Sequence, residues 1–574
     1  MIITIRLIIA RLAVLAVLFT SLVNATSEPR VIYQIQGLNQ DLVRVVQQHL
    51  DQSLQASSRL PNEGGIQHWY QQSSADVQHI LAAYGYFKPS IHPSLKQKGG
   101  KWYANYQISL GPPLKITTLE VSVQDQKKND VQIEKLLTDF PIHQGDIFSS
   151  ERYEQAKQLL LTTAIAQGYL SAYFSQHTIL INRKSYTAHI TLILNRGPRY
   201  YFGPIIFQQS ILKDSLLRRY IPFKIGDPYS SSQLLNLQEN LNNSGYFNNV
   251  SIDDVKTHKQ ALPVTFKLTP RPSQQYTAGI GYSTDLGIRG TLGWESRYLN
   301  KSGHRLNIIS QFSKIQSSLQ MTYRIPGKHP NTDNYNINYV IVRKKLTQVV
   351  STTQQLGIAN IAQWRGWQRN LFLNYQIERF NYLNSKTTKA HLLTPGINFS
   401  RSRFDNAHFA LHGYRLNLRL QGADQHLLSN TSFLQTQLQG KYILSWNQNS
   451  RLLLRGDMGY TLTSNLSDFP PSLLFYAGGS QSLRGYAYQS LGPGRYLMLG
   501  SVEYQHRLIN NFYGAIFFDA GNAVNNFPLN LQKGAGLGLV WLSPLGPMEV
   551  TAGKALNLPG RPIRLQFTMG FDLL

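Results

Sequence analysis

Few residues in this chain are typed and spaced for chemistry. Its 574 residues include no cysteine, which removes thiolate nucleophiles, thiolate zinc sites, iron–sulfur clusters and disulfides together. The 15 histidines are scattered without metal-ligand spacing and read as surface or girdle residues. No Gly-x-Ser-x-Gly elbow, His-Glu-x-x-His pair or Walker loop occurs. Gly534, Gly536 and Gly538 imitate a dinucleotide loop only in their closeness, and inside an alternating segment they read as a smooth patch on a strand. No enzymatic step, metal or cofactor is implied. The residue that demands an explanation is Arg484, in Gly478-Gly479-Ser480-Gln481-Ser482-Leu483-Arg484-Gly485-Tyr486. Held away from water, its guanidinium needs a carboxylate, because an unpaired buried charge costs several kcal/mol. Acids are scarce here: residues 271–574 hold 30 Lys+Arg but only 12 Asp+Glu. Glu503 and Asp519, on the next two alternating segments, are the candidate partners. The other reading leaves Arg484 exposed and facing anionic lipopolysaccharide, and the residues alone do not choose between the two.

The segments that would position these groups alternate with period 2. Tyr276, Ala278, Ile280 and Tyr282 oppose Thr277, Gly279, Gly281 and Ser283. Tyr414, Leu416, Leu418 and Leu420 oppose Arg415, Asn417, Arg419 and Gln421. Ile563, Leu565, Phe567, Met569 and Phe571 oppose Arg564, Gln566, Thr568, Gly570 and Asp572. Apolar on one face and polar on the other over nine or ten residues, these predict barrel strands with lipid outside and water inside. Such strands must close on themselves, since an open edge in lipid leaves backbone groups unpaired. A soluble antiparallel sandwich also alternates, but with shorter strands. The residues after 271, at roughly 19 per strand and loop, make about 16 strands, an even number as closed barrels of this kind require. One connection is anomalous: the one between Leu462 and Tyr496 that carries Arg484, too long for an ordinary turn.

The first half repeats. Gly85-Tyr86-Phe87, Gly168-Tyr169-Leu170 and Gly245-Tyr246-Phe247 each end an apolar helix-like stretch, where a left-handed glycine suits the helix stop. Ser149 and Ser150, and Ser230 and Ser231, can cap the helices before the second and third of these. Ala156, Leu159, Leu160 and Ala164 in one helix, and Leu234, Leu237 and Leu241 in the other, fall at helical period. Alternating stretches flank them, predicting three units of strand-helix-helix-strand-strand. These are either generic α/β modules or an array whose sheet edges accept an extra strand from a client.

Composition narrows the setting. Arg6 and Arg11, the apolar run Leu12–Phe19 and the small residues Val23-Asn24-Ala25 predict a cleaved export signal. The formal charge of +26 usually suggests nucleic acid or an anionic membrane surface. Export removes the nucleic-acid reading, and the surplus of cations falls in the alternating half, on its polar faces.

Here the residues carry a resemblance. Gly478–Tyr486 resembles the lid-loop motif of the Omp85 outer-membrane assembly superfamily. Ser501-Val502-Glu503-Tyr504, Phe517-Phe518-Asp519-Ala520-Gly521 and the run from Gly536 to Pro547 resemble that family's motifs on the strands that follow. The three repeats are then similar to polypeptide-transport-associated (POTRA) domains. Gly281–Asp285 and Leu292–Tyr298 are similar to TamA-type members. The resemblance implies α+β periplasmic repeats, three POTRA domains, followed by a transmembrane antiparallel β-barrel of about 16 strands. The expected bounds are a signal peptide at 1–25, repeats at 26–111, 112–198 and 199–271, and the barrel at 272–574. It implies that Arg484, Gly485 and Tyr486 fold back into the lumen, with Glu503 and Asp519 receiving the arginine. It implies a lateral seam, with Tyr276, Gly279 and Gly281 on the first strand and Phe567 and Gly570 on the last.

Through that seam client β-barrel and autotransporter proteins would be assembled or exported, with a TamB-like inner-membrane-anchored partner on the POTRA domains. Lipopolysaccharide and phospholipid are further expected contacts, and nucleic acid is not. Two other readings stand beside this one: a two-partner-type polypeptide secretion pore, and the outer-membrane end of a phospholipid transport bridge. The chain departs from its relatives in ending Phe571-Asp572-Leu573-Leu574, where the family ends in an aromatic residue.

Overall fold

The computed structural model describes residues 31–57, 63–124, 130–253, 260–346, 349–382, 386–406, 409–463, 466, 469–544 and 546–569. The expected signal peptide and Gly570 lie outside these residues, as does the C-terminal Phe571–Leu574. Two compact units result. One holds the first two repeats with a small part of the third, and the other holds the rest of the third repeat with the barrel.

Each repeat has the expected order of elements. The first is β1 (Val31–Gln36), α1 (Gln40–Ser57), α2 (Glu63–Ala83), β2 (Ser90–Lys98) and β3 (Lys101–Ser109). The second is β4 (Lys115–Gln124), α3 (Val131–Thr138), α4 (Ser150–Ala166), β5 (Tyr173–Asn182) and β6 (Thr187–Asn195). The third is β7 (Tyr201–Gln208), the short α5 (Asp214–Leu217), α6 (Ser231–Asn243), β8 (Phe247–Asp253) and β9 (Ala261–Pro270). In all three the last strand lies in the middle of the sheet, so the first two strands are its edges. In the first repeat Val46, Leu50, Ile66, Trp69 and Leu81 pack on Trp102, Ala104, Tyr106 and Ile108. In the second, Tyr153, Ala156, Leu160 and Ala164 pack on Ala188, Ile190, Leu192 and Leu194.

Ser149 Oγ accepts from the Arg152 amide and caps α4, satisfying one of the unpaired donors at the helix start. Leu159 departs from expectation: it is 44% exposed. One helix position from Leu160 is a rotation of about 100°, and Tyr153 completes the buried face in its place.

The glycines of the three Gly-Tyr pairs all have positive φ, +88°, +94° and +77° at Gly85, Gly168 and Gly245. They do more than stop a helix, because each touches the module that follows. Gly85 O accepts from the Leu114 amide, and a Cβ at Gly85 would lie 2.5 Å from Phe148 O. Gly168 O accepts from the Tyr200 amide, and its Cβ would lie 2.8 Å from Tyr229 O. At Gly245 the Cβ would meet the Arg305 guanidinium at 3.0 Å. Tyr246 then donates its hydroxyl to Gly303 O in the first turn below the barrel, and Arg305 lies 4.0 Å over the Tyr246 ring while donating to Ser244 O. Arg219 donates to the carbonyls of Pro326 and Gly327 in the next such turn. Beside the first joint, Tyr84 donates to Glu151 Oε2 at 2.6 Å; that bond first, and burial second, push its phenol up to about 12.

The barrel is closed and has the sixteen strands expected, each antiparallel to its neighbours. They are β10 (Gln274–Ser283), β11 (Gly287–Ser296), β12 (Arg305–Ser313), β13 (Gln316–Pro326), β14 (Asn334–Lys345), β15 (Val349–Trp364), β16 (Trp367–Tyr382), β17 (Thr388–Phe404), β18 (Gly413–Ala423), β19 (Phe433–Asn447) and β20 (Ser450–Thr463). The long connection contributes a small ribbon, β21 (Phe475–Ala477) with β22 (Leu491–Gly494), and the wall resumes with β23 (Tyr496–Ile509), β24 (Phe512–Val524), β25 (Gln532–Ser543), β26 (Gly546–Ala555) and β27 (Ile563–Met569). Strand length departs from the uniform nine or ten residues of the alternation. Among the described residues it reaches 17 at β17 and falls to 7 at β27. Apolar side chains of alternate residues face outward, and Trp364, Trp446 and Trp541 sit exposed at the ends of strands that descend toward the repeats, where amphipathic rings suit a membrane interface.

Candidate functional site

Arg484 is 1% exposed and reaches the barrel wall. Its Nε and Nη2 donate to Asp519 Oδ2 and Oδ1, both at 2.8 Å, and its backbone amide donates to the same carboxylate at 3.0 Å. Nη1 pairs with Glu503, and Nη2 also donates to Ser501 Oγ at 3.2 Å. The face of the guanidinium lies 3.5 Å over the Phe517 ring. This is the planar, bidentate arrangement for which arginine differs from lysine. The strands build it by period 2: Ser501 and Glu503 point inward from β23, and Phe517 and Asp519 from β24.

The structure therefore brings Arg484, Glu503 and Asp519 together inside the barrel and not on an exposed loop. It adds Glu549, on the inward face of β26, whose Oε1 lies 3.6 Å from Nη1. Arg455 from β20 approaches Glu503 at 3.7 Å.

Glycines hollow the wall where the motif sits. A Cβ at Gly534 would lie 2.2 Å from Arg484 O, and one at Gly553 would lie 2.6 Å from the Gly485 amide. Gly536 leaves room for the Phe517 ring at 2.6 Å. Gly534 of β25 and Gly553 of β26 are thus the floor under the loop. Gly485 has φ +91° and presses on the Lys554–Ala555 backbone. Tyr486, 1% exposed, packs with Leu483 and Ala555 and donates to Gln532 Oε1 and Lys533 O.

The loop has a second anchorage across the lumen. Glu378 on β16 is fully buried and accepts from Ser351 Oγ at 2.6 Å, Gln376 Nε2 at 3.0 Å, and the amide and hydroxyl of Ser472 in the loop. Gln435 of β19 donates to Leu473 O at 2.7 Å. Phe469, fully buried, packs with Phe433 and Leu392. Sequence reasoning missed Glu378 and Glu549. Their signal was present: both are among the 12 acids of the barrel half, and both fall on the inward parity of their strands.

Tyr276, Gly279, Gly281 and Phe567 fall on the two strands that close the barrel, while Gly570 lies outside the described residues. Among the described residues β10 and β27 share one ladder pair, Ser283 with Thr568. Just beyond it Thr284 N donates to Phe567 O at 3.1 Å, and Phe567 N donates to Thr284 Oγ1 at 3.2 Å. Outward residues here are barely flanked. Tyr276 is 77% exposed and Ile280 80%, against 39% and 42% for Leu416 and Leu418 in mid-wall. The Phe567 ring lies 5.9 Å from that of Tyr282. Gly279 and Gly281 do not adopt positive φ. What they withhold is side-chain bulk, since a Cβ there would meet nothing closer than 3.9 Å and 3.6 Å respectively.

A profile described as Omp85 superfamily domain matches residues 273–572. The chain belongs to the Omp85 superfamily. Residues 32–110 match the first POTRA domain of the TamA type, and 200–271 match the profile described as surface antigen variable number repeat. As an Omp85 protein it is an outer-membrane β-barrel with POTRA repeats in the periplasm. It is 22% identical over 444 residues to the outer membrane protein assembly factor BamA of Nitratidesulfovibrio vulgaris, covering 70% of this chain and 55% of that one. It is 22% identical over 561 residues to the BamA of Neisseria meningitidis serogroup B, covering 87% and 68%. The Omp85 chain described here thus spans between about half and two thirds of the length of these relatives. The crystal structure of BamA from Haemophilus ducreyi lacking POTRA domains 1–3 superposes with a TM-score of 0.69 at 19% identity, covering 79% of this chain and 99% of that one. That likeness is one of fold.

Proposed function

We propose that this protein assembles or exports client β-barrel and autotransporter proteins at the outer membrane by offering the edges of β10 and β27 to an incoming strand. The observation that carries the reading is that, among the described residues, these two strands share a single ladder pair, in a wall whose other neighbours are paired along most of their length. An edge strand templates a further strand through its free backbone donors and acceptors, and in lipid that drive is larger because no water competes. The relatives named as assembly factors support the same reading. It needs no cofactor and no catalytic residue. The sheet edges of the repeats would receive a TamB-like, inner-membrane-anchored partner and hand unfolded clients toward the barrel.

The chain has no cysteine, so the test is clean. Ser283→Cys with Thr568→Cys places two thiols on Cα partners. Oxidation is expected to stop client insertion into reconstituted membranes, and reductant to restore it, while the folded barrel persists throughout. Full insertion with the seam locked would sink the proposal. Loss of phospholipid transfer with insertion intact would favour the lipid-bridge reading instead.

A further inference from the structure

The long connection touches both sides of the seam it does not belong to. Asp285, in the turn between β10 and β11, turns one carboxylate oxygen onto Ser480 of the loop. Asp285 Oδ2 accepts from the Ser480 amide at 2.8 Å and from its hydroxyl at 2.6 Å. Five residues on, the Gly485 amide donates to Gln566 Oε1 of β27 at 3.4 Å. Between these two grips stands Arg484, fixed to β23, β24 and β26. Gly479 shows that the Asp285 grip is shaped as well as charged. Its φ is +108°, and a Cβ there would lie 2.9 Å from Asp285 Oδ2 and 3.0 Å from the Tyr488 ring. The neighbouring residue Thr284 hydrogen-bonds Phe567 across the seam.

We propose that Asp285 is a positioning residue that clasps the first hairpin of the barrel to the docked loop, so that the loop holds the two seam edges in register. The loop bridges β10–β11 to β27 where the strands themselves share one ladder pair among the described residues. Release of the Ser480–Asp285 contact then frees the first hairpin while Arg484 stays seated, so the seam can open with the loop still docked. This inference rests on the seam reading above, but its test does not use client insertion.

The rate of disulfide formation between Ser283→Cys and Thr568→Cys, in the full chain under a fixed oxidant, reports how often the edges align. Losing two hydrogen bonds to a carboxylate is expected to slow it roughly tenfold or more in an Asp285→Ala background. Gly479→Ala, which displaces the same carboxylate without removing it, is expected to slow it comparably. Asp285→Asn keeps one oxygen acceptor and is expected to recover part of the rate, which a merely structural defect in the turn would not do. Each variant is checked for the heat-modifiable folded band. An unchanged rate in both Asp285→Ala and Gly479→Ala, with the barrel folded, overturns the clasp and leaves the seam proposal standing. A slowed rate in Asp285→Ala without recovery in Asp285→Asn also overturns it.

Discussion

At the residue scale the arginine of the loop sets the stakes. Arg484 is buried with Asp519 and Glu503 at hydrogen-bonding distance and Glu549 beside them. Removing one partner of a buried ion pair leaves the other charges desolvated and costs about 3–5 kcal/mol. Arg484→Ala strands three carboxylates at once. It is expected to lower the temperature at which the folded band converts in detergent, and to expose Tyr486 and Tyr488 to chymotrypsin. Arg484→Lys is expected to resemble Arg484→Ala more than wild type, since an ammonium cannot reproduce the two parallel bonds to Asp519. An unchanged transition and unchanged cleavage in both would mean the loop is held by its other anchorages and not by Arg484.

At the element scale the joint glycines allow a paired comparison. Gly145 and Gly168 have nearly equal φ, +95° and +94°. A Cβ at Gly145 meets nothing within 4 Å, whereas one at Gly168 meets Tyr229 O at 2.8 Å. Backbone strain is common to both substitutions by alanine, and the clash belongs to Gly168 alone. Gly168→Ala is expected to cost about 1–3 kcal/mol more than Gly145→Ala, read as lost hydrogen-exchange protection of the Tyr200 amide. Equal loss in the two variants would reduce Gly168 to a helix stop.

That stop was legible in the sequence, because a left-handed glycine after an apolar helix is a local signal. Its contact with the next repeat was not, because the partner lies tens of residues away. The barrel was legible for a related reason: lipid on one face and water on the other impose period 2 on every strand. Glu503 and Asp519 could be named because the lumen parity and the scarcity of acids left few choices. Glu378, Glu549 and Asp285 obey the same parity or lie in a plain turn, yet nothing in their spacing shows that one loop reaches all of them. Only closure of the wall brings β16, β26 and the first hairpin within reach of it. Leu159 failed for the opposite reason, an apolar residue one step off its helix face.

At the scale of the whole molecule, the third repeat meets the barrel through a cationic corner. His304 stands beside Arg305 in the turn that receives Tyr246, with its Nδ1 2.6 Å from the Tyr323 hydroxyl. Loss of hydration first, and Arg219 second, hold its imidazole below the ordinary value of 6.5. A base with a depressed pKa in the folded state contributes fully above its unfolded value and loses that contribution as the pH falls through the folded one. Docking of the repeat is therefore expected to be intact above pH 6.5 and to weaken below it. Hydrogen exchange at the Tyr246 amide, corrected for its intrinsic rate, should report this, and His304→Gln should flatten it. A profile already flat in the wild type would count against the corner as the point of sensitivity.

The docked loop also fixes an order of events in the protein's own folding. The loop's anchors stand at residues 285, 378, 503, 519, 549 and 566, from the first hairpin to the last strand. Contacts of such separation form only after the chain between them is in place. The loop therefore cannot seat fully until the final hairpin has joined the wall, so completion of the cylinder and full docking of the loop belong to one last step. A chain stopped before β26 would hold most of a wall and a loose loop, with Asp285, Glu378, Glu503 and Asp519 waiting for it and Glu549 not yet in place.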